Sequence, residues 1–379
     1  MLPVFYQTHL KSQLKLPEYL LLKILINVLQ SIKSVSLETL ATALPLPILF
    51  ESRRKKVQRL LSLPCFKIET LWFPIIKLWL STQLEDNPVI YLVIDRTSWA
   101  SINLLMISII WDKRAFPVYF ELLPKLGSSN CAEQTAALTK VLPLIKNYKT
   151  VLLGDREFCS VKLANWLREQ GLYFCLRLKK NEFIQVEPEI WVQLKALGLM
   201  PGVCFFFKGI KVTKIKGFVG FNIACKWKRK YRGWTPEEGW FILTLESLET
   251  AIKAYTRRFD IEEMFRDFKS GGYNLEGTNV SDARLLALIL LIAIAYSSTT
   301  MQGQKIKRMG VQKYVGRIKE FGRLERRHSS FYIGLYGHNW VNFMETCWEL
   351  VTELMKLNRN KRSFYQRGRR AMQLILQAS

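Results

Sequence analysis

Two short apolar runs, each closed by an aspartate, constrain this chain most: "PVIYLVID" at Pro88–Asp95 and "TVLLGD" at Thr150–Asp155. Both are nearly all apolar and rich in β-branched residues, the pattern of a strand buried on both faces. A sheet of such strands needs other layers packed against it. The neighbouring residues offer them. "SINLLMISIIW" and "AFPVYFELL" read as further strands, "CAEQTAALTKVLPLI" and "SVKLANWLREQ" as helices, and "YFCLRLK" as a fifth strand. Three strands, helix, strand, helix, strand predicts an α/β fold with a mixed sheet covered by helices. The carboxyl edge of such a sheet is where ligand sites form, which makes Asp95 and Asp155 candidate functional residues. The plainer reading is that strands often end at Asp because it favours turns.

Between about Lys179 and Gly239 the texture changes. "VCFFFKGIKVTKIKGFVGFNIACKWKRKYRGW" holds nine Lys or Arg and no acid, with glycines as punctuation and basic residues alternating with apolar ones, as at Lys214, Ile215 and Lys216. This predicts antiparallel strands with one basic face, inserted into the α/β domain. Residues 1–87 read as a helical region. Ser36 caps "LETLATAL", Pro45 and Pro47 make a turn, and "ILFESRRKKVQRLL" follows as a basic helix, the outline of a helix-turn-helix DNA reader. A helical bundle with a solvated charged face fits the same residues. The organisation expected is therefore 1–87 helical and DNA-binding, 88–178 first part of the core, 179–239 basic β insertion, 240–300 second part of the core, and 301–379 basic and helical. In the last region Lys305–Arg327 carries nine basic and two acidic residues, and Lys356–Arg370 seven basic and none acidic.

With 56 Lys plus Arg against 31 Asp plus Glu, the formal charge is +25. A globular chain this basic repels itself, and a polyanionic partner relieves it, nucleic acid before an anionic membrane. The apolar run "LLALILLIAIAY" (Leu285–Tyr296) has 12 residues, short of the roughly 20 needed to cross a bilayer, and reads as a buried helix. "YLLLKILINVL" contains Lys23 and lacks a small-residue cleavage site, unlike a secretory signal. Seven scattered cysteines without a C-x-x-C pair predict reduced thiols in a cytosolic protein. His9, His328 and His338 are too dispersed for a histidine metal cluster.

The stretch "YTRRFDIEEMFRDFK" (Tyr255–Lys269) carries its polar residues in a pattern. On a single helix, Tyr255, Arg258, Glu262 and Lys269 share one polar seam, and Ile261, Met264, Phe265 and Phe268 an apolar one. A solvated helix packed on a sheet would do the same. If the seam leans toward the sheet edge, however, Glu262 joins Asp95 and Asp155. Clustered carboxylates need a cation, and hard oxygen donors favour Mg²⁺ or Mn²⁺. Two such ions clamp the attacking and leaving oxygens of a phosphoryl displacement.

Tyr255-x2-Arg258-x3-Glu262-x6-Lys269 resembles, without a gap, the Y-R-E-K signature of bacterial DDE insertion-sequence transposases, the "IS-four" group. "VIDRTSW", "LPKLGSSN", "LLGDREF", "GWFILTLES" and "FKSGGYNLEGTNVSDARLLAL" carry the resemblance over roughly residues 88–300. It implies a ribonuclease-H-like mixed-sheet core interrupted by an antiparallel β insertion before the third acid. It implies that Asp95, Asp155 and Glu262 hold two Mg²⁺ (or Mn²⁺) ions, and that Tyr255, Arg258 and Lys269, with Arg156 beside Asp155, contact DNA. Trp240, opening the last insertion strand, would stack on a flipped base, and Phe259 would fill space in the distorted DNA. The implied partners are double-stranded terminal inverted repeats and target DNA, engaged by a homodimer in the bacterial cytosol. The implied route is nick, hairpin, opening and strand transfer. A transposase-derived DNA-binding protein without catalysis, or another two-metal nuclease of this fold, are the rival readings.

Overall fold

The computed structural model describes residues 2–83, 89–214, 218–229, 238–278, 280, 282–317, 321, 328–357 and 359–378. Ile215 and Lys216 of the basic alternation, all of "KYRGW", and the end of the run Lys305–Arg327 lie outside these residues. The chain forms two compact units, residues 76–267 and residues 1–75 with 268–379.

The first unit is built on one sheet. β1 (Ile90–Trp99), β2 (Ile102–Trp111) and β3 (Arg114–Leu122) form an antiparallel meander. β4 (Thr150–Gly154) and β5 (Tyr173–Arg177) then run parallel to β1. The remaining strands are β6 (Phe183–Glu187), β7 (Ile190–Gln193), β8 (Cys204–Val212), β9 (Phe218–Lys226) and β10 (Trp240–Thr244). Among the described residues the order is β3-β2-β1-β4-β5-β10-β9-β8-β6-β7, ten strands in all. The basic segment thus continues the same sheet, with β10 antiparallel to both β5 and β9. The architecture is mixed α/β with one large sheet.

Central strands are buried on both faces, as their unbroken apolar runs require: Leu92, Val93, Ile94, Leu152, Leu153, Phe174 and Leu176 are all inaccessible to solvent. Pro117, which has no N–H to give, sits on the edge strand β3, opposite Ser108 at a register shift. Ahead of β4 a helix spans Cys131–Ile145, started by a reciprocal cap in which Glu133 N–H donates to Asn130 and Asn130 N–H to Glu133. A second, Val161–Glu169, is capped by Ser160. Two more follow β10, at Leu248–Thr256 and Phe259–Phe268.

The other unit is helical. In chain order with the helices just given, α1 is Val4–Gln13, α2 Leu16–Ile32, α3 Leu37–Ala43, α4 Phe50–Leu61 and α5 Phe73–Gln83, the last entering the sheet unit. The sheet unit's four helices are α6 to α9. α10 (Asp282–Arg308), α11 (Ser330–Thr346), α12 (Trp348–Leu357) and α13 (Arg362–Gln377) complete the set. α10 contains the apolar run Leu285–Tyr296 but is far longer, at 27 residues. Along its polar continuation the Ser297, Thr299 and Thr300 hydroxyls are satisfied within the helix, donating back to the Ala293, Ala295 and Tyr296 carbonyls at 2.6–2.8 Å. By length and composition α10 could cross a bilayer, yet nearly all of its apolar window is buried inside the protein. Gly303 of α10 and Gly334 of α11 let the two backbones touch. A Cβ on Gly334 would overlap the Thr299 carbonyl oxygen, and one on Gly303 the Ser330 carbonyl.

Candidate active site

The β1–β4 ladder ends at the pair Ile94 and Gly154, so Asp95 and Asp155 leave adjacent parallel strands side by side. β1 does not stop there, as the strand-end reading expected; it runs on to Trp99 against β2. Gly154 is needed at its position. A Cβ there would lie 2.8 Å from Phe158 Cβ and 3.0 Å from Leu176, and Phe158 folds back, fully buried, beneath the strand end. One oxygen of each aspartate is held by a backbone amide from the residues that follow. Arg96 N–H donates to Asp95 Oδ1 and Glu157 N–H to Asp155 Oδ1, both at 2.8 Å.

Glu262 reaches this edge on α9. That helix lies across β2 and β3, with Ser108 Oγ 3.7 Å from Met264 Sδ, and Arg114 Nη1 3.4 Å from Glu263 and 3.6 Å from Asp267. The stretch Tyr255–Lys269 is not the single helix its spacing suggested. α8 ends at Thr256 and α9 starts at Phe259. Between them the N–H groups of Arg257, Arg258, Asp260 and Ile261 donate three residues back. Bonds of this kind turn the chain by about 120° per residue instead of 100°. The tightening turns Arg258 inward, where it is buried.

Arg258 joins two of the acids. Its Nη1 lies 3.3 Å from Asp95 Oδ2, and its Nη2 donates to Glu262 Oε1. The Asp95 side chain is 13% exposed and that of Glu262 53%. Burial pushes the Asp95 carboxyl up to about 7; Arg258 opposes the rise, while the charges of Asp155 and Glu262 add to it. The three acids therefore share one electrostatic environment. They are not gathered as a ligand set: among the described residues, no three His, Cys, Asp or Glu side chains stand close enough to hold a metal. The Arg258 fork occupies the space between Asp95 and Glu262. The donor chemistry nevertheless fits a hard divalent cation, since all three groups are carboxylates.

The other expected DNA contacts divide. Tyr255, on α8, is fully buried, and burial pushes its hydroxyl up to about 12 against the pull of Arg258 and Arg177. Arg156 pairs with Glu238, which also accepts from Arg177 Nη2 at 3.1 Å. Arg177 was not singled out from the sequence, where it is one basic residue ending one strand. Trp240 is only 7% exposed. Its ring meets Tyr255 edge-on at 5.1 Å between centroids and Phe259 at 6.0 Å, with Lys228 Nζ 4.5 Å above it. Phe259 is 38% exposed and lies against the Arg258 guanidinium. Lys269 falls in the helical unit, where its Nζ pairs with Glu276 at 2.7 Å.

No curated protein matches this chain. Among solved structures, it overlaps a piggyBac transposase synaptic complex with hairpin DNA at 13% identity, covering 92% of this chain and 78% of that one, with a TM-score of 0.43. It also overlaps Marinitoga piezophila Argonaute bound to a 5′ OH guide RNA at 12% identity, covering 69% and 39%, with a TM-score of 0.24. Neither overlap is close enough to define the fold. Residues 93–297, more than half the chain, match the transposase DDE domain, and the chain belongs to that family.

Proposed function

We propose that this DNA transposase is a cut-and-paste enzyme of the Y-R-E-K "IS-four" group, which binds the terminal inverted repeats of a bacterial insertion sequence and moves it to new DNA. Its core would be ribonuclease-H-like, formed by 88–178 and 240–300 around the basic insertion 179–239, with DNA-reading helices in 1–87 and a basic helical region in 301–379. The partial strand order β3-β2-β1-β4-β5, three antiparallel then two parallel, supports that reading. The protein would act as a homodimer on paired ends, at the nucleoid in the cytosol.

Asp95, Asp155 and Glu262 would hold two Mg²⁺ or Mn²⁺ ions. Bound there, the pair of ions would activate the attacking oxygen and offset charge on the leaving one. The chain's own groups position the DNA. Arg258 would exchange its carboxylate partners for a phosphate of the cleaved end, and Tyr255, Lys269 and Arg156 would be further DNA contacts. Cleavage of the first strand frees a 3′-hydroxyl that must reach across the duplex to form a hairpin, so the end has to bend sharply. Trp240 would receive the base expelled by that bend once Lys228 leaves its face, and Phe259 would fill the gap. Stacking of this kind supplies roughly 1–3 kcal/mol per base.

One observation carries the reading: two aspartates side by side just past the last pair of the parallel β1–β4 ladder, one of them joined through Arg258 to a glutamate on α9. The test is a supercoiled plasmid bearing the element's ends, incubated with the protein and Mg²⁺. Excision through hairpin ends is expected. Binding without cleavage, or cutting indifferent to the ends, would overturn it in favour of an inactive derivative or a general nuclease.

A further inference from the structure

On the face of the sheet away from Arg258, strand β1 just past Asp95 and the loop that follows Asp155 are tied together by a second pair of residues. β-strand side chains alternate in direction, so while Asp95 meets α9, the next residue, Arg96, turns the other way. Its guanidinium takes Glu157 in a fork, with Nε 3.0 Å from Oε1 and Nη2 3.0 Å from Oε2. Its remaining nitrogen, Nη1, donates to Asn103 Oδ1 at 2.9 Å, and Asn103 in turn donates to the Lys125 and Gly127 carbonyls. Glu157 Oε1 also accepts from Ser129 N–H at 2.9 Å and Ser129 Oγ at 3.0 Å, and Gln134 steadies Ser129. Asn103, Ser129 and Gln134 are buried, and the Arg96 and Glu157 side chains are 18% and 14% exposed. A bidentate, half-buried and further hydrogen-bonded pair is the strong kind of ion pair, and it fixes direction as well as distance.

Arg96 and Glu157 are also the residues whose backbone amides hold Asp95 Oδ1 and Asp155 Oδ1. The side chains join the strand to the loop and the amides aim the carboxylates, leaving the second oxygen of each aspartate for other partners. We propose that the Arg96–Glu157 pair is a positioning device that sets the separation and aim of Asp95 and Asp155, and so the affinity of the site for divalent cations. This rests on the reading of those aspartates as metal ligands. Outer-shell partners of metal ligands are commonly worth 10- to 100-fold in affinity.

The experiment titrates the full-length chain with Mn²⁺, reading free Mn²⁺ by electron paramagnetic resonance, for the wild type, Asp155→Asn, Glu157→Gln and Arg96→Lys. Glu157→Gln keeps shape and loses charge; Arg96→Lys keeps charge and loses the fork. Both should bind Mn²⁺ about 10- to 100-fold more weakly than the wild type, at temperatures where each variant is still fully folded. Both should also cleave about 100-fold more slowly, with the loss partly recovered at high Mg²⁺ and with DNA-end binding intact. Wild-type Mn²⁺ affinity in both variants would overturn the proposal, and so would weakening that only tracks a fall in melting temperature. If instead the wild type itself binds no Mn²⁺, or Asp155→Asn binds as well as the wild type, the metal-ligand reading fails, whatever the pair does.

Discussion

The crossing of α10 with α11 and the end of the β1–β4 ladder are both tightly packed, but they treat polar groups in opposite ways. At the crossing two glycines bring backbones into contact, and the Ser297 and Thr299 hydroxyls are satisfied both within α10 and from other helices: Tyr6 donates to Ser297 and Gln30 to Thr299, both at 2.8 Å. Where the β1–β4 ladder ends, burial lifts Asp95 to about 7 against the pull of Arg258, with the charges of Asp155 and Glu262 adding to the rise. The crossing is arranged for stability. The end of the ladder holds unfavourable charge in place, which is what a site built to receive a cation and DNA phosphates would do at some cost to the free protein.

Substitutions should therefore act with opposite signs in the two places. The largest effect expected is on chemistry: Glu262→Gln or Asp155→Asn should slow strand cleavage by about 10³-fold or more, equal to about 4 kcal/mol of barrier, while end binding in a gel-shift assay stays near wild type. Next is Gly334→Ala, which forces a Cβ onto the Thr299 carbonyl. It should cost about 3 kcal/mol, visible as a fall in melting temperature of roughly 6–12 °C. Asp95→Asn sharpens the contrast. It should abolish cleavage yet raise the stability of the metal-free protein at pH 8 by on the order of 1 kcal/mol, because a neutral amide replaces a buried carboxylate. A destabilised Asp95→Asn would mean that the Arg258 contact outweighs burial.

The smallest effect concerns pH. Burial pushes Asp267 up to about 7 from an ordinary value of 3.8, against the pull of Arg114. A carboxyl that holds its proton more tightly when folded adds stability that is full below about pH 4 and is lost as pH rises through about 7. In EDTA the melting temperature should be higher at pH 5.5 than at pH 8. Asp267→Asn should reduce that difference by on the order of 2 °C, and no change would remove Asp267 as a source.

Local pattern made much of this legible. The apolar runs at Ile90–Ile94 and Thr150–Gly154 are strands because only burial on both faces suits them, and their register brings Asp95 beside Asp155. What stayed hidden depended on contacts between distant segments. The Arg96–Glu157 pair exists only because β1 and β4 run parallel in one register, which no spacing within either motif reveals. The turn at Arg257–Arg258 was invisible to a 100° periodicity, since tightening to three-residue bonds changes the direction of side chains without changing their order. The place of β10 between β5 and β9 could not be read from the basic segment, whose alternation marks strands but not neighbours. The full length of α10 was missed because Ser and Thr end an apolar run without ending the helix.

The helical unit is made from both ends of the chain, residues 1–75 and 268–379. During synthesis the apolar faces of α1 and α2 emerge early, but α10 and α11, which cover them, are translated only after the whole sheet unit. At 5–20 residues per second that interval lasts roughly 10–40 s. For that time the nascent amino-terminal helices have only one another to pack on, and a fragment that ends within residues 76–267 lacks α10 and α11, the helices that complete their core.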